Sequence, residues 1–93
     1  MYNEGEKIEV KIIKAWWWGK ETKFTGEKSY NFYDENGDNY RYYTKADTNL
    51  DDYSLEEINE GNFKISARIK EIKDFAHSSY VDYILEYPSI KEE

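Results

Sequence analysis

Cysteine is absent from the 93 residues, which excludes disulfides, thiolate nucleophiles and cysteine-ligated zinc. Histidine occurs once, as His77, so a histidine metal site or a catalytic triad lacks its other members. No apolar run is long enough to cross a bilayer as a helix, and no basic-then-apolar leader opens the sequence. A cytoplasmic protein without a membrane partner is therefore expected. Glycine-rich phosphate loops are missing. The acids between Asp47 and Glu60 lack the alternating ligands, central glycine and closing glutamate of a calcium loop. Neither a metal nor a cofactor is expected, and the composition favours a binding domain over an enzyme.

Aromatic side chains are plentiful: they make up 18% of the chain, as Tyr 10, Phe 4 and Trp 3. Disordered acidic chains are poor in such rings, so one folded domain over residues 1–93 is expected. The mean hydropathy of -1.03 is low partly because tyrosine scores poorly while burying its ring well. Net charge is -7, which by itself disfavours a polyanionic partner. The excess is local, however. Residues 27–62 hold ten acids and three bases, and six acids lie between Asp47 and Glu60 with no base among them. A face built from the two flanking thirds could be neutral or positive.

Ile8, Val10 and Ile12 alternate with Glu9 and Lys11, the period of a half-buried strand. At Ile12-Ile13 the phase slips, which reads as a β-bulge bending a long strand. In the shifted phase Ala15 and Trp17 point inward while Trp16 and Trp18 point outward. A hairpin follows, Lys28–Tyr33 and Tyr40–Thr44 about Asn36-Gly37. A three-residue loop with Gly37 left-handed sets Phe32 opposite Tyr40 and Tyr30 opposite Tyr42. That register gathers the four rings on one face, and the face to be buried decides register. Ser54 and Glu57 form a capping box, with Leu55 and Ile58 as the apolar stripe and Gly61 as the stop of a short helix. Phe63, Ile65, Ala67 and Ile69 alternate with Lys64, Ser66, Arg68 and Lys70, and a second phase change falls near Glu71-Ile72. The last strand is expected from Tyr80 to Tyr87, with Val81, Tyr83, Leu85 and Tyr87 facing the core and Pro88 ending it.

A long bent strand, a hairpin, a helix and two strands follow the element order of a five-stranded OB-fold barrel, all-β with one helix between strands three and four. The alternating stretch Phe63–Lys73, then a loop, a strand and Pro88, resembles the closing hairpin of OB-fold single-stranded DNA-binding proteins of phages and mobile elements. The resemblance implies a closed barrel that binds single-stranded DNA, or RNA by the same chemistry, without strong sequence preference. Such binding needs outward rings for base stacking and cations for the backbone. Trp16, Trp18, Tyr33 and Tyr43 are the candidate rings, with Arg41, Lys14 and Lys20 beside them. Arg68 and Lys70 belong to a basic strip with Lys64 and Lys73. Phe75 and His77, in the loop before the last strand, are candidate clamp residues. The competing readings are a homodimer or protein-partner interface at the tryptophans, a solvated lysine face that guards a sheet edge, and loop rings that anchor their own loop.

Overall fold

The computed structural model describes residues 1–74 and 81–93. Six strands form one sheet: β1 (Lys7–Lys11), β2 (Lys14–Glu21), β3 (Lys28–Tyr33), β4 (Asn39–Thr44), β5 (Phe63–Asp74) and β6 (Val81–Glu92). Their order across the sheet is β1-β5-β6-β4-β3-β2. All ladders are antiparallel except β4 with β6, which is parallel. A 3-10 turn (Asn49–Asp52) and helix α1 (Leu55–Glu60) lie between β4 and β5.

The five-stranded closed barrel is not what forms. The first strand divides at Ile12-Ile13, and among the described residues β1 and β2 share no ladder, so the sheet has two edges and does not close by pairing. The reason is visible in two hydrogen bonds. The Ile12 N–H donates to Phe63 O on the β5 side, and the Ile13 N–H donates to Tyr33 O on the β3 side. Adjacent residues thus serve opposite ends of the strand order, and the backbone between them turns a corner. The phase slip is real; its consequence is a covalent corner between the sheet edges.

Rings fill the interior where aliphatic side chains are few. Tyr30, Tyr40, Tyr83 and Phe63 are fully buried beside Ile65 and Ile69. Phe32 stacks on Tyr40 at 5.0 Å, and Tyr40 stacks on Tyr83 at 5.2 Å, whose edge meets Tyr2. Such ring pairs add roughly 0.5–1.5 kcal/mol each beyond their area. Buried hydroxyls are paired: Tyr40 Oη donates to Asp34 Oδ2 at 2.7 Å, and Tyr30 Oη donates to Asp51 Oδ1. Burial first, and the carboxylate second, push both hydroxyls far above the ordinary tyrosine range.

The hairpin register is the one the ring face requires, Tyr30 opposite Tyr42 and Phe32 opposite Tyr40. Asp34 closes its turn. The Asp34 N–H donates to Asp38 O, Asp34 Oδ1 accepts from the Asn36 and Asp38 N–H groups, and Gly37 adopts φ 82°. A side chain at φ 82° would be strained, which explains glycine there. Helix α1 carries the expected capping box, with Glu57 N–H on Ser54 Oγ and Ser54 N–H on Glu57 Oε1. It buries Ile58.

Strand β6 differs from expectation at its end. It runs through Pro88 to Glu92 rather than stopping there. On β5, Ser66 pairs with Ser89 and Arg68 with Glu86, so Tyr87 and Pro88 together oppose Ala67. That is a bulge, where proline's missing N–H interrupts no ladder bond. The bulge turns Tyr87 out of the core: it is 74% exposed with φ 53°.

Candidate functional site

Strands β2, β3, β4, β6 and β5 present a continuous outer face, and the bulges in β2 decide what stands on it. The β2–β3 register shifts between Ala15 and Trp17 and again between Trp18 and Lys20. Ala15 and Trp18 therefore both point inward, 1% and 8% exposed, whereas Trp16 is 42% exposed. Trp18 is a core residue, not a platform ring: its indole N–H donates to Leu50 O at 2.8 Å and its ring meets Tyr30 edge-on. Trp17 pairs with Asn31, whose neighbours Tyr30 and Phe32 face the core, so Trp17 lies on the outer side and is half-buried. Its indole N–H bonds to Lys20 O, and Lys20 Nζ lies 5.6 Å from its ring. Strict alternation through three tryptophans fails because a bulge places two residues opposite one.

Asn59 of α1 holds this bulge. Its Oδ1 accepts from the Ala15 N–H at 2.8 Å and its Nδ2 donates to Ala15 O at 2.9 Å, the two bonds a neighbouring strand would make. Trp16 follows directly. Its indole N–H donates to Asn39 Oδ1 at 3.1 Å, and the Arg41 guanidinium lies 5.3 Å from its ring centre. Trp16, Tyr33, Asn39, Arg41 and Asp82 line a groove of about 270 Å³. A second groove of about 270 Å³ lies elsewhere on the sheet, lined by Glu27, Tyr43, Lys70, Glu71, Lys73 and Ile84. Ile84 is buried without belonging to the interior ring cluster, which places it under the outer face.

The structure thus brings together Trp16, Tyr33 and Arg41 at one groove and Tyr43 and Lys70 at the second. Lys14 is exposed opposite Tyr33, at the margin of the first groove. Lys20 and Trp17 stand on the same face, opposite Ser29 and Asn31 of β3, but line neither of the two grooves. Arg68 also stands apart, its guanidinium 5.5 Å from the exposed Tyr87 ring, beside a third groove of about 210 Å³. Lys64 is engaged by Glu9 and Glu93, so it contributes nothing to a free basic strip. Phe75 and His77 lie outside the described residues.

Asn59, Asn39 and Asp82 were not among the expected site residues. Asn59 sits in an acidic helix whose pattern announces only a cap, and Asp82 follows the phase of neither core face. The acids of residues 47–60 gather around the 3-10 turn and α1. Asp51 there accepts from Lys28 Nζ at 2.8 Å and from Tyr30. Burial acts to raise the Asp51 pKa, but those two bonds outweigh it and hold the carboxyl below its ordinary value. Among the described residues no cluster of three or more acidic, histidine or cysteine side chains is placed to hold a metal, and no helix is long and apolar enough to cross a membrane. No protein-family model, curated protein or solved structure matches the chain.

Proposed function

We propose that the outer face binds single-stranded DNA, or RNA by the same chemistry, through base stacking on Trp16, Tyr33 and Tyr43 and phosphate contacts from Arg41, Lys14, Lys70 and Lys73. The observation that carries this reading is Trp16. A large apolar ring is held 42% exposed beside a guanidinium in the lining of one groove, and a second groove holds Tyr43 and two lysines. Exposed rings of this kind mark contact surfaces, and bases of any sequence can stack on them. An OB-type arrangement accords with the parallel β4–β6 pair and with the corner that joins the two ends of the strand order. Acids near the 3-10 turn and α1 keep the excess negative charge on those segments.

The test is binding of a thymine oligonucleotide to the intact chain and to Trp16→Ala. Removing one stacking ring costs about 1–3 kcal/mol per base, so the variant should bind about 5- to 150-fold more weakly while its far-UV spectrum stays unchanged. Equal affinity in both would sink the platform assignment. The net charge of -7 favours a second reading, in which the same rings meet a protein partner or a second copy. Salt separates the two, because phosphate contacts release counterions and an apolar interface does not.

A further inference from the structure

Among the described residues, three polar side-chain atoms at this face are buried with no hydrogen-bond partner: Asn31 Oδ1, Arg41 Nε and Asp82 Oδ1. They lie on β3, β4 and β6, three consecutive strands of the sheet, and Asn31 opposes Arg41 across the β3–β4 ladder. Buried polar groups are normally paired, because lost hydration is otherwise not returned. Arg41 and Asp82 could pair well, yet they meet as Nε to Oδ2 at 3.5 Å, too long for a charge-assisted bond. Asp82 is only 6% exposed. It is also a carboxylate in the floor of a groove whose other charged groups suit phosphates. Beyond its long ion pair with Arg41, it would repel a phosphate and suit a ligand that donates hydrogen bonds to it.

We infer that the Trp16 groove is a guanine subsite, with Asp82 accepting from the N1–H and the exocyclic amine, Arg41 donating to O6 in place of its phosphate contact when guanine is bound, and the ring stacking on Trp16. This rests on the single-strand reading above and adds discrimination at one position of a face that is otherwise indifferent to sequence. Among the bases, guanine alone presents two adjacent donors on its pairing edge beside a carbonyl acceptor. That edge matches a carboxylate with a guanidinium next to it. Thymine offers one N–H between two carbonyl oxygens, which a carboxylate repels; cytosine and adenine offer one amine next to ring acceptors. Unstacked bases are read in this way, by hydrogen bonds to the pairing edge and stacking on a ring. Asn31, whose Nδ2 donates to Ser29 Oγ, keeps its oxygen as a further acceptor. Lys73, opposite Asp82 on the β5–β6 ladder, supplies a cation beside the subsite. Trp16 lines the same groove, tied to it by one side-chain hydrogen bond, to Asn39, and by the Arg41 guanidinium over its ring.

The experiment measures anisotropy of a labelled thymine oligonucleotide carrying thymine, guanine or inosine at one central position, with the intact chain. Guanine should bind roughly tenfold more tightly than thymine, since two charge-assisted bonds replace a repulsion. Inosine, which lacks only the exocyclic amine, should lose most of that gain. In Asp82→Asn the guanine-to-thymine ratio should fall toward one while thymine affinity rises, the groove having lost a negative charge. If that variant does not fold, the guanine and inosine arms on the intact chain decide alone. Thymine binding with no gain from guanine overturns the subsite and leaves the single-strand reading standing. A guanine gain that inosine fully retains overturns the two-donor pairing with the carboxylate. No binding of any oligonucleotide overturns the single-strand reading, and the subsite with it.

Discussion

Replacing Asn59 with alanine tests whether the helix sets the aim of Trp16. Asn59 makes two hydrogen bonds to Ala15, at 2.8 and 2.9 Å, in place of a strand neighbour. Ala15 is 1% exposed, so water does not readily replace them. At about 0.5–1.5 kcal/mol net per bond, the loss should be roughly 1–3 kcal/mol. For a domain of this size that corresponds to a fall in Tm of about 4–24 °C. Urea unfolding followed by tryptophan emission measures it, with Glu60→Ala, an exposed neighbour in the same helix, as the control within ±0.5 kcal/mol. Asn59→Asp keeps the acceptor and loses the donor, so it should fall between the two. Below the transition the alanine variant should also bind thymine oligonucleotide more weakly, because Trp16 follows Ala15 directly. An Asn59→Ala protein as stable as the control would refute the view that the side chain acts as a surrogate strand.

Two further perturbations address the buried polar pairs. Tyr40→Phe removes the hydroxyl that donates to Asp34 Oδ2 and leaves that carboxylate oxygen without its partner, so stability should drop by about 1–3 kcal/mol in thermal or urea unfolding; a change under 0.5 kcal/mol would count against the turn-locking role of Asp34. Asp51 has a folded pKa below its unfolded value, so its contribution is present at neutral pH and is lost as pH falls through the folded value. Stability measured from neutral to acidic pH should therefore decline less steeply in Asp51→Asn than in the unaltered chain, and parallel curves would show that Asp51 is not the group titrating.

Much of the fold is legible in residue order, and the reasons are local. The Ile12-Ile13 phase slip marks the corner, the four-ring face selects the hairpin register, and Ser54 with Glu57 marks the start of α1. What alternation misses are the bulges. Trp18 lies inside and Trp16 outside because β2 carries extra residues against β3, an offset set by the partner strand and by Asn59, which is 44 residues away in sequence. Strict alternation puts Tyr87 in the core and a strand end at Pro88, and fails at both for the same reason, since a bulge opposite Ala67 reverses one and accommodates the other. The unpaired cluster of Asn31, Arg41 and Asp82 joins three strands that only the sheet order brings together. The split first strand, finally, follows from which edge each of two adjacent N–H groups serves, and no sequence period encodes that.

The most direct measurement of the central claim is tryptophan emission during titration with a thymine oligonucleotide, repeated across a range of salt. Trp18 is buried and Trp17 half-buried, so quenching should come chiefly from Trp16 and fall by more than half in Trp16→Ala at saturating oligonucleotide. With Arg41, Lys14, Lys70 and Lys73 on phosphates, log affinity should fall against log salt with a slope of about -3. Quenching that is strong at low salt and follows that slope is what the account predicts. A binding curve indifferent to salt, or no quenching at low salt, would contradict it and assign the exposed rings to a protein surface.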